Sequence, residues 1–127
     1  MILVVDDDRT QTELLKELLE GEGYEVRTAS NATDAYLELT DPKCKGVVLA
    51  MQMPGINGPE LLMLMAADGI HVPVLLTTSD PGFDEKEMKQ FSNVKKLFQK
   101  PLYTEDLVAA LRQYAEKPTG PRRHAGR

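Results

Sequence analysis

Three short apolar runs recur along this chain, each with the length and composition of a buried β-strand. They are Ile2–Val5, Val47–Ala50 and Val72–Thr77. Each is followed by a polar or Gly/Pro-containing turn and then by a segment with the periodicity of an amphipathic helix. Because parallel strands need a crossover connection, this alternation predicts a parallel sheet with helices on both faces.

Two weaker runs complete the predicted sheet. Glu25–Ala29 alternates polar and apolar residues, which indicates an edge strand, and Val94–Phe98 is interrupted by Lys95 and Lys96. The three most apolar strands should lie in the middle, which the strand order 2-1-3-4-5 satisfies. The predicted fold class is therefore α/β, a flavodoxin-like (βα)5 doubly wound parallel sheet.

The five segments between and after the strands carry helix signals. Asp8, Asn31 and Thr104 stand where N-caps are expected, and Pro59 stands in a first helical turn. The fourth helix, around Met88, is predicted to be short. Spacing predicts the inward-facing residues Leu14, Leu15, Leu18 and Leu19 in the first helix, Ala32, Ala35, Tyr36 and Leu39 in the second, Leu61, Leu62 and Met65 in the third, and Leu107, Val108, Leu111 and Tyr114 in the last.

Length and charge indicate one acidic domain. The chain has 127 residues and 42% hydrophobic content, which suits a single core over residues 1–117. Residues 118–127 form a basic tail that we expect to be disordered. The net charge is -5, and the tail holds three arginines and no acid, so residues 1–117 carry -8 (-5 minus 3). An acidic domain argues against direct nucleic acid binding.

The cysteine count and the hydropathy pattern predict a cytoplasmic protein. Cys44 is the only cysteine, so an intramolecular disulfide is impossible. Its neighbours Lys43 and Lys45 could lower its pKa, although a loop thiol is more often incidental. The N-terminal run is too short and lacks the basic start of a signal peptide, and no run is long enough to cross a bilayer.

The predicted sheet places its site where the strand order reverses, at the carboxyl ends of the first and third strands. Asp6 and Asp7 follow the first strand, and Ala50 ends the third, just before a loop rich in Gly and Pro. Paired carboxylates at such a position suit a metal ion. Ala50, by contrast, has no reactive side chain.

Four motifs in this order resemble the receiver domain of two-component response regulators. They are ILVVDDD from Ile2, MPGING from Met53, PVLLTT from Pro73 and QKP from Gln99, and the resemblance covers residues 1–116. It implies a role in phosphorelay signal transduction, with a histidine kinase or another signalling protein as partner.

The resemblance also implies roles for individual residues. Asp6 and Asp7 would hold Mg²⁺, with Asp7 the more direct ligand, together with the backbone carbonyl of Gln52. Thr78 and Lys100 would contact the phosphoryl group, and a cis peptide bond before Pro101 would aim the lysine at the site. The phosphoacceptor aspartate falls on Ala50.

Two departures from the family pattern change the expected mechanism. The methyl group of Ala50 can neither accept a phosphoryl group nor bind a metal, so the chain as written should not be phosphorylated there. It is either a naturally phosphorylation-independent receiver or a receiver altered to alanine. Leu97 replaces the aromatic residue that swings inward in the family. We predict that Lys100 pairs with Asp6 or Asp7 and that Mg²⁺ binds weakly.

The leading hypothesis is therefore a non-enzymatic interaction module. In the family, the partner face is made by the fourth helix, the fifth strand and the fifth helix, and the same face could support a homodimer. No effector domain is expected after the last helix, since about ten residues remain there, too few for a DNA-binding unit. The alternative is a flavin- or nucleotide-binding protein on the same fold, but the chain lacks a GxGxxG motif and a P-loop.

Overall fold

The computed structural model describes residues 1–122. Five strands alternate with four α-helices and one 3-10 helix, as the sequence predicts to within two residues for the strands. The strands are β1 (Ile2–Val5), β2 (Val26–Ala29), β3 (Gly46–Ala50), β4 (Val74–Thr78) and β5 (Val94–Gln99). The α-helices are α1 (Arg9–Gly21), α2 (Ala32–Leu39), α3 (Gly58–Ala67) and α4 (Thr104–Tyr114).

The sheet has the predicted order β2-β1-β3-β4-β5, and every pair of neighbouring strands is parallel. The three apolar strands β1, β3 and β4 lie in the centre and are buried throughout. β2 and β5, with more polar residues, form the edges, as their sequences indicate.

Alternate residues of the strands pack into two separate core layers, one on each face of the sheet. One layer joins Leu3, Val47 and Leu49 to α2, α3 and the 3-10 helix. The other joins Ile2 and Val48 to α1 and α4. Because successive side chains of a strand point to opposite faces, this division gives the doubly wound arrangement directly.

α1 buries a narrower stripe than its leucines suggest. Thr12, Leu15 and Leu19 are buried, whereas Leu14 is 50% exposed and Leu18 only partly buried. The prediction that Leu14 belongs to the core is wrong, because it lies about 100° around the helix from Leu15. A helix that packs on a sheet contacts it along one stripe only.

Two of the three predicted N-caps are present. The Asp8 side chain accepts from Gln11 N at 3.2 Å and Asn31 from Asp34 N at 2.8 Å. Thr104 is not a cap, since it is the first residue of α4 and Tyr103 precedes it as the N-cap without a side-chain bond. The Tyr103 carbonyl already accepts from Leu107 N, so α4 begins one residue earlier than predicted.

The short fourth helix takes the form of a 3-10 helix, Glu85–Gln90. Asp84 caps it by accepting from Lys86 N at 2.9 Å, and Met88, within the helix, is buried. Residues 79–93 connect β4 to β5, and six of them form the helix. This segment is therefore smaller than the other helices on its face of the sheet.

The start of the predicted tail contacts the turn between α1 and β2. Gly120 N donates to Gly23 O at 2.9 Å, and Arg122 pairs with Glu22 at 2.7 Å. The tail was expected to be disordered from residue 118, whereas residues 118–122 lie against the domain. Residues 123–127 fall outside the described residues.

Within residues 1–122, no helix combines the length and the apolar character needed to cross a membrane.

Candidate functional site

The predicted site residues meet at the carboxyl edge of the sheet. The register aligns Val5 with Leu49 and Ala50 with Thr77, so β1, β3 and β4 end within two residues of one another. Asp6, Ala50, Thr78 and Lys100 each stand at or directly after a strand end. The fold thus gathers residues that are up to 94 positions apart in the chain.

An ion pair between Lys100 and Asp6 occupies the centre of this edge. Lys100 Nζ lies 2.8 Å from Asp6 Oδ2, and Asp8 N donates to the other oxygen, Asp6 Oδ1, at 3.0 Å. The carboxylate of Asp6 is almost fully buried, so both oxygens need these partners. The pairing of Lys100 with one of the two aspartates agrees with the sequence prediction.

The backbone holds Lys100 in place. Its N–H donates to the Thr78 carbonyl at 2.8 Å, and the following Lys100–Pro101 peptide bond is cis, as the family resemblance implies. Asp7, in contrast to Asp6, is exposed to solvent at the mouth of the cleft.

Ala50 lies at the bottom of the site and is only 2% exposed. The loop after it folds back at once, since Gly58 N donates to Met51 O at 3.1 Å. A Cβ on Gly58 would stand 2.7 Å from the Ala50 carbonyl oxygen, so only glycine fits there without a shift. Gly55, at φ +75°, provides the turn in this loop.

The side chain of Gln52 contacts Thr78, which the sequence analysis did not foresee. Gln52 Nε2 donates to Thr78 Oγ1 at 2.9 Å, and the Thr78 hydroxyl lies 3.2 Å from Gln52 Oε1. The same amide oxygen accepts from Ser79 N at 3.4 Å. The family pattern gives this residue a backbone role only, so no sequence signal pointed to its side chain.

Above these groups is an open cleft of about 710 Å³. Its walls include Asp6, Asp7, Gln52, Asn57, Ser79 and Lys100. Ala50 and Thr78 are buried beneath it, the latter with no exposed surface. The polar part of the cleft lining thus consists mainly of carboxylates, amides and one ammonium group.

The donor set fits Mg²⁺ only in part. Asp6, Asp7 and the carbonyl of Gln52 offer the oxygen atoms that this ion prefers. Asp6, however, is already neutralised by Lys100, and no third carboxylate stands at position 50. Among the described residues, no group of three or more His, Cys, Asp or Glu side chains is arranged to hold a metal.

Leu97 lies on β5 opposite Leu76 and is partly buried. It packs against the core layer that contains α2 and α3, whereas the next residue, Phe98, packs against the other layer. The ring of Phe98 therefore faces away from the side on which Leu97 lies.

Cys44 is not an activated thiol. It is buried, and burial raises its pKa to about 11 from an ordinary value near 9. The hydrogen bond to the Gly46 carbonyl and the N-terminal charge have smaller effects. The possibility that Lys43 and Lys45 lower this pKa is therefore wrong, because desolvation of the thiolate dominates.

A parallel 2-1-3-4-5 sheet with an acidic pair, a hydroxyl and a lysine at its carboxyl edge defines the class of phosphorelay signalling domains. Residues 2–112 match the family profile described as the response regulator receiver domain. The chain belongs to this family, and it is a receiver domain of two-component signal transduction.

Relatives and solved structures agree with this assignment. The chain is 30% identical over 118 residues to response regulator MprA of Mycolicibacterium vanbaalenii, covering 93% of this chain and 51% of that protein. It is 30% identical to the DNA-binding response regulator MtrA of Mycobacterium tuberculosis, covering 87% and 48%. The chain thus spans about half the length of the curated relatives it matches.

Two solved structures with sequence identities of 29% and 28% to this chain have the same fold. A response regulator receiver domain protein from Clostridium thermocellum superposes with a TM-score of 0.80 at 29% identity, covering 89% of this chain and 91% of that one. Response regulator TrrA from Thermotoga maritima, solved in complex with Mg²⁺ and BeF, gives 0.77 at 28%, covering 89% and 96%. These matches favour signalling over the flavin- or nucleotide-binding alternative.

Proposed function

We propose that this receiver domain is not phosphorylated at position 50 and acts through protein–protein interaction. The observation that carries the proposal is Ala50 itself, a methyl group where the family has its phosphoacceptor. Phosphoryl transfer to a receiver needs a carboxylate nucleophile, and a methyl group has no lone pair to attack phosphorus.

The surrounding contacts support the same conclusion. Lys100 is paired with Asp6, and the Thr78 hydroxyl is bonded to the Gln52 amide. The two groups that would contact a phosphoryl group are therefore already satisfied within the domain. Leu97, which has no polar group to follow Thr78, would not make the aromatic swing of the family.

Mg²⁺ would be held by Asp6, Asp7 and the Gln52 carbonyl, and only weakly. In TrrA the ion accompanies a BeF group. In the present chain one negative ligand is absent and another is shared with Lys100, so the attraction for a divalent cation is reduced. When bound, the ion would neutralise charge on an incoming phosphate.

The proposed partner is a histidine kinase or another signalling protein, and the proposed role is not enzymatic. The surface around the 3-10 helix, β5 and α4 corresponds to the family's interaction and homodimer face. The acidic charge of residues 1–117 disfavours direct binding of nucleic acid by this domain. A cytoplasmic location stays a prediction from the sequence.

The test is incubation with acetyl phosphate and Mg²⁺, followed by intact mass, for this chain and for Ala50→Asp. We expect a phosphoryl mass on the variant only. A phosphoryl mass on the unsubstituted chain would overturn the proposal, and peptide mapping would then identify the acceptor, with Asp6 and Asp7 the first to examine. The chemistry is the same whether Ala50 is natural or a replacement.

A further inference from the structure

α3 is apolar on both of its faces. Its inner face buries Leu61, Leu62 and Met65 against the sheet. On the opposite side, Met63 is 62% exposed and Leu64 43% exposed. A surface helix normally has a polar outer face, so this pattern is typical of a helix that is covered on both sides.

The exposed apolar residues form one continuous surface, which we call the α3 outer patch. It consists of Ile56, Glu60, Met63, Leu64 and Ala67, which line a single shallow groove. The last four follow the i, i+3, i+4, i+7 spacing of one helix face. Of the large exposed apolar side chains in the described part of the chain, Ile56, Met63 and Leu64 lie here, whereas Leu14, Leu37 and Tyr103 are on other elements.

The part of the sequence that contains the α3 outer patch is acidic. Residues 46–85 contain no Lys or Arg, but they include five acids, Glu60, Asp68, Asp80, Asp84 and Glu85. Glu60 lies inside the patch and is exposed, although its carboxylate also accepts from Asn57 N at 3.1 Å. An apolar partner surface that carries positive charge would therefore be attracted, and an anionic one repelled.

We infer that the α3 outer patch binds a cationic amphipathic helix of a partner protein. The apolar residues of such a helix would pack on Ile56, Met63 and Leu64, and its flanking Lys or Arg residues would meet Glu60. Unbranched Met63 can adapt to different apolar side chains. A second copy of this chain would bring like charges together, and an anionic lipid surface would be repelled.

The position of the patch links it to the proposed function and gives that function a second partner surface, separate from the one around the 3-10 helix, β5 and α4. Ile56 belongs to the same β3–α3 loop as Gln52 and Asn57, both of which line the cleft at the site. A helix seated on Ile56 would contact this loop without any phosphorylation at position 50. The inference rests on the proposal that the domain acts through protein partners.

The binding test uses the full chain and a fluorescent Leu/Lys peptide of about 14 residues, four helical turns with leucines on one face. A Leu/Glu peptide with the same leucine positions measures the charge requirement. We expect the Leu/Lys peptide to bind more tightly, with amide shifts confined to α3 and the loop before it. Equal affinity for the two peptides, or shifts elsewhere, would overturn the inference.

Two matched variants locate the site. Met63→Gln with Leu64→Gln should weaken binding at least about tenfold, since it removes apolar contact area. Leu37→Gln changes a residue of α2 that is 69% exposed and should leave binding unchanged. Glu60→Gln keeps an oxygen for the Asn57 N–H and should weaken binding a few-fold at low salt only. Equal effects of the Met63/Leu64 and Leu37 changes would contradict the assignment.

Sedimentation and vesicle binding test the other occupants. A dimer of the free chain that is lost on changing Met63 and Leu64 would assign the patch to a second copy and overturn the inference. Binding to phosphatidylglycerol vesicles that depends on the same residues would assign it to a membrane and overturn it equally. Phosphorylation of the unsubstituted chain would contradict the proposed function without affecting the peptide result, so the two failures are distinguishable.

Discussion

Lys100 Nζ lies 2.8 Å from Asp6 Oδ2, which joins the end of β5 to the end of β1 across the carboxyl ends of β4 and β3. The carboxylate of Asp6 is nearly buried, with 6% of its side chain exposed, against 26% for Lys100. A buried carboxylate without a counterion is costly, so the pair contributes to stability mainly by avoiding that cost.

The first prediction concerns this ion pair. Lys100→Met should lower the free energy of unfolding by about 1–3 kcal/mol, because Asp6 is left without its cation. Urea denaturation measures the change. Asp6→Asn combined with Lys100→Met should recover part of the loss, since the buried charge is then gone. A double variant whose losses simply add would show that the pair is not coupled.

The second prediction concerns the acceptor position. Ala50→Asp places a carboxylate near Asp6 in a buried site, so without Mg²⁺ it should lower the free energy of unfolding by about 1–3 kcal/mol. Mg²⁺ should restore stability, seen as a larger rise in Tm than in the parent chain. The asparagine of Ala50→Asn is similar in size to aspartate but uncharged, so Mg²⁺ should raise the Tm of this variant only slightly. Equal Mg²⁺ effects in all three chains would contradict a metal site at this edge.

The third prediction concerns Gln52. Gln52→Leu removes both hydrogen bonds to the Thr78 hydroxyl and should cost about 1 kcal/mol in thermal or urea unfolding. In an Ala50→Asp background it should also raise the rate of phosphorylation by acetyl phosphate, because the Thr78 hydroxyl is released from the Gln52 amide and keeps its hydrogen bond from Asp80 N. The control is Gln90→Leu, which removes an exposed amide that donates to the nearby Glu87 carbonyl at 3.1 Å. No difference in rate would mean that the Gln52 contact does not restrict Thr78.

The fourth prediction concerns the close approach of α3 to the end of β3. Gly58→Ala would place a methyl group 2.7 Å from the Ala50 carbonyl oxygen, so the loop must shift. We expect a loss of about 1–3 kcal/mol in chemical denaturation. Gly82→Ala is the matched control, since a Cβ there would meet nothing closer than 3.5 Å. Similar losses for both would indicate a general effect of replacing glycine.

The fifth prediction concerns the buried thiol. Because the pKa of Cys44 is raised from about 9 to about 11, its contribution to stability is fully present below pH 9. It is lost as the pH rises through 11, by about 1–3 kcal/mol. Cys44→Ala removes this titration, so the difference in unfolding free energy between the two chains should fall over that range. A difference that stays constant with pH would show that the thiol is not desolvated.

The order and type of the elements could be predicted because they depend on local patterns. Ile2–Val5 and Val47–Ala50 are apolar enough to require burial on both faces, and the helical segments between them require crossovers. Asp8 and Asn31 were found as caps because the capping bond joins residues three apart in the chain. The observed starts of β4 and α4 differ from the predicted starts by two residues and by one residue. The backbone at Pro73 and Tyr103 sets where each of these elements begins.

The inner face of α1 was predicted less well. Four leucines, at 14, 15, 18 and 19, satisfy a helical spacing together, but the face of α1 that packs on the sheet buries only Leu15 and Leu19, with Thr12. Sequence periodicity shows that a helix has an apolar side but not how wide a contact its neighbour offers. The outer face of α3 was overlooked for the same reason.

The class of fold, the family resemblance and the absence of a carboxylate at position 50 follow from the amino-acid sequence, because each depends on residue identity or local spacing. The packing of the folded chain selects which aspartate Lys100 pairs with, brings the Gln52 amide to Thr78, and leaves Met63 and Leu64 facing solvent. These contacts join residues far apart in the chain, or depend on what a helix finds beside it. These contacts form only when whole helices and strands pack together, so a local pattern of residues does not predict them.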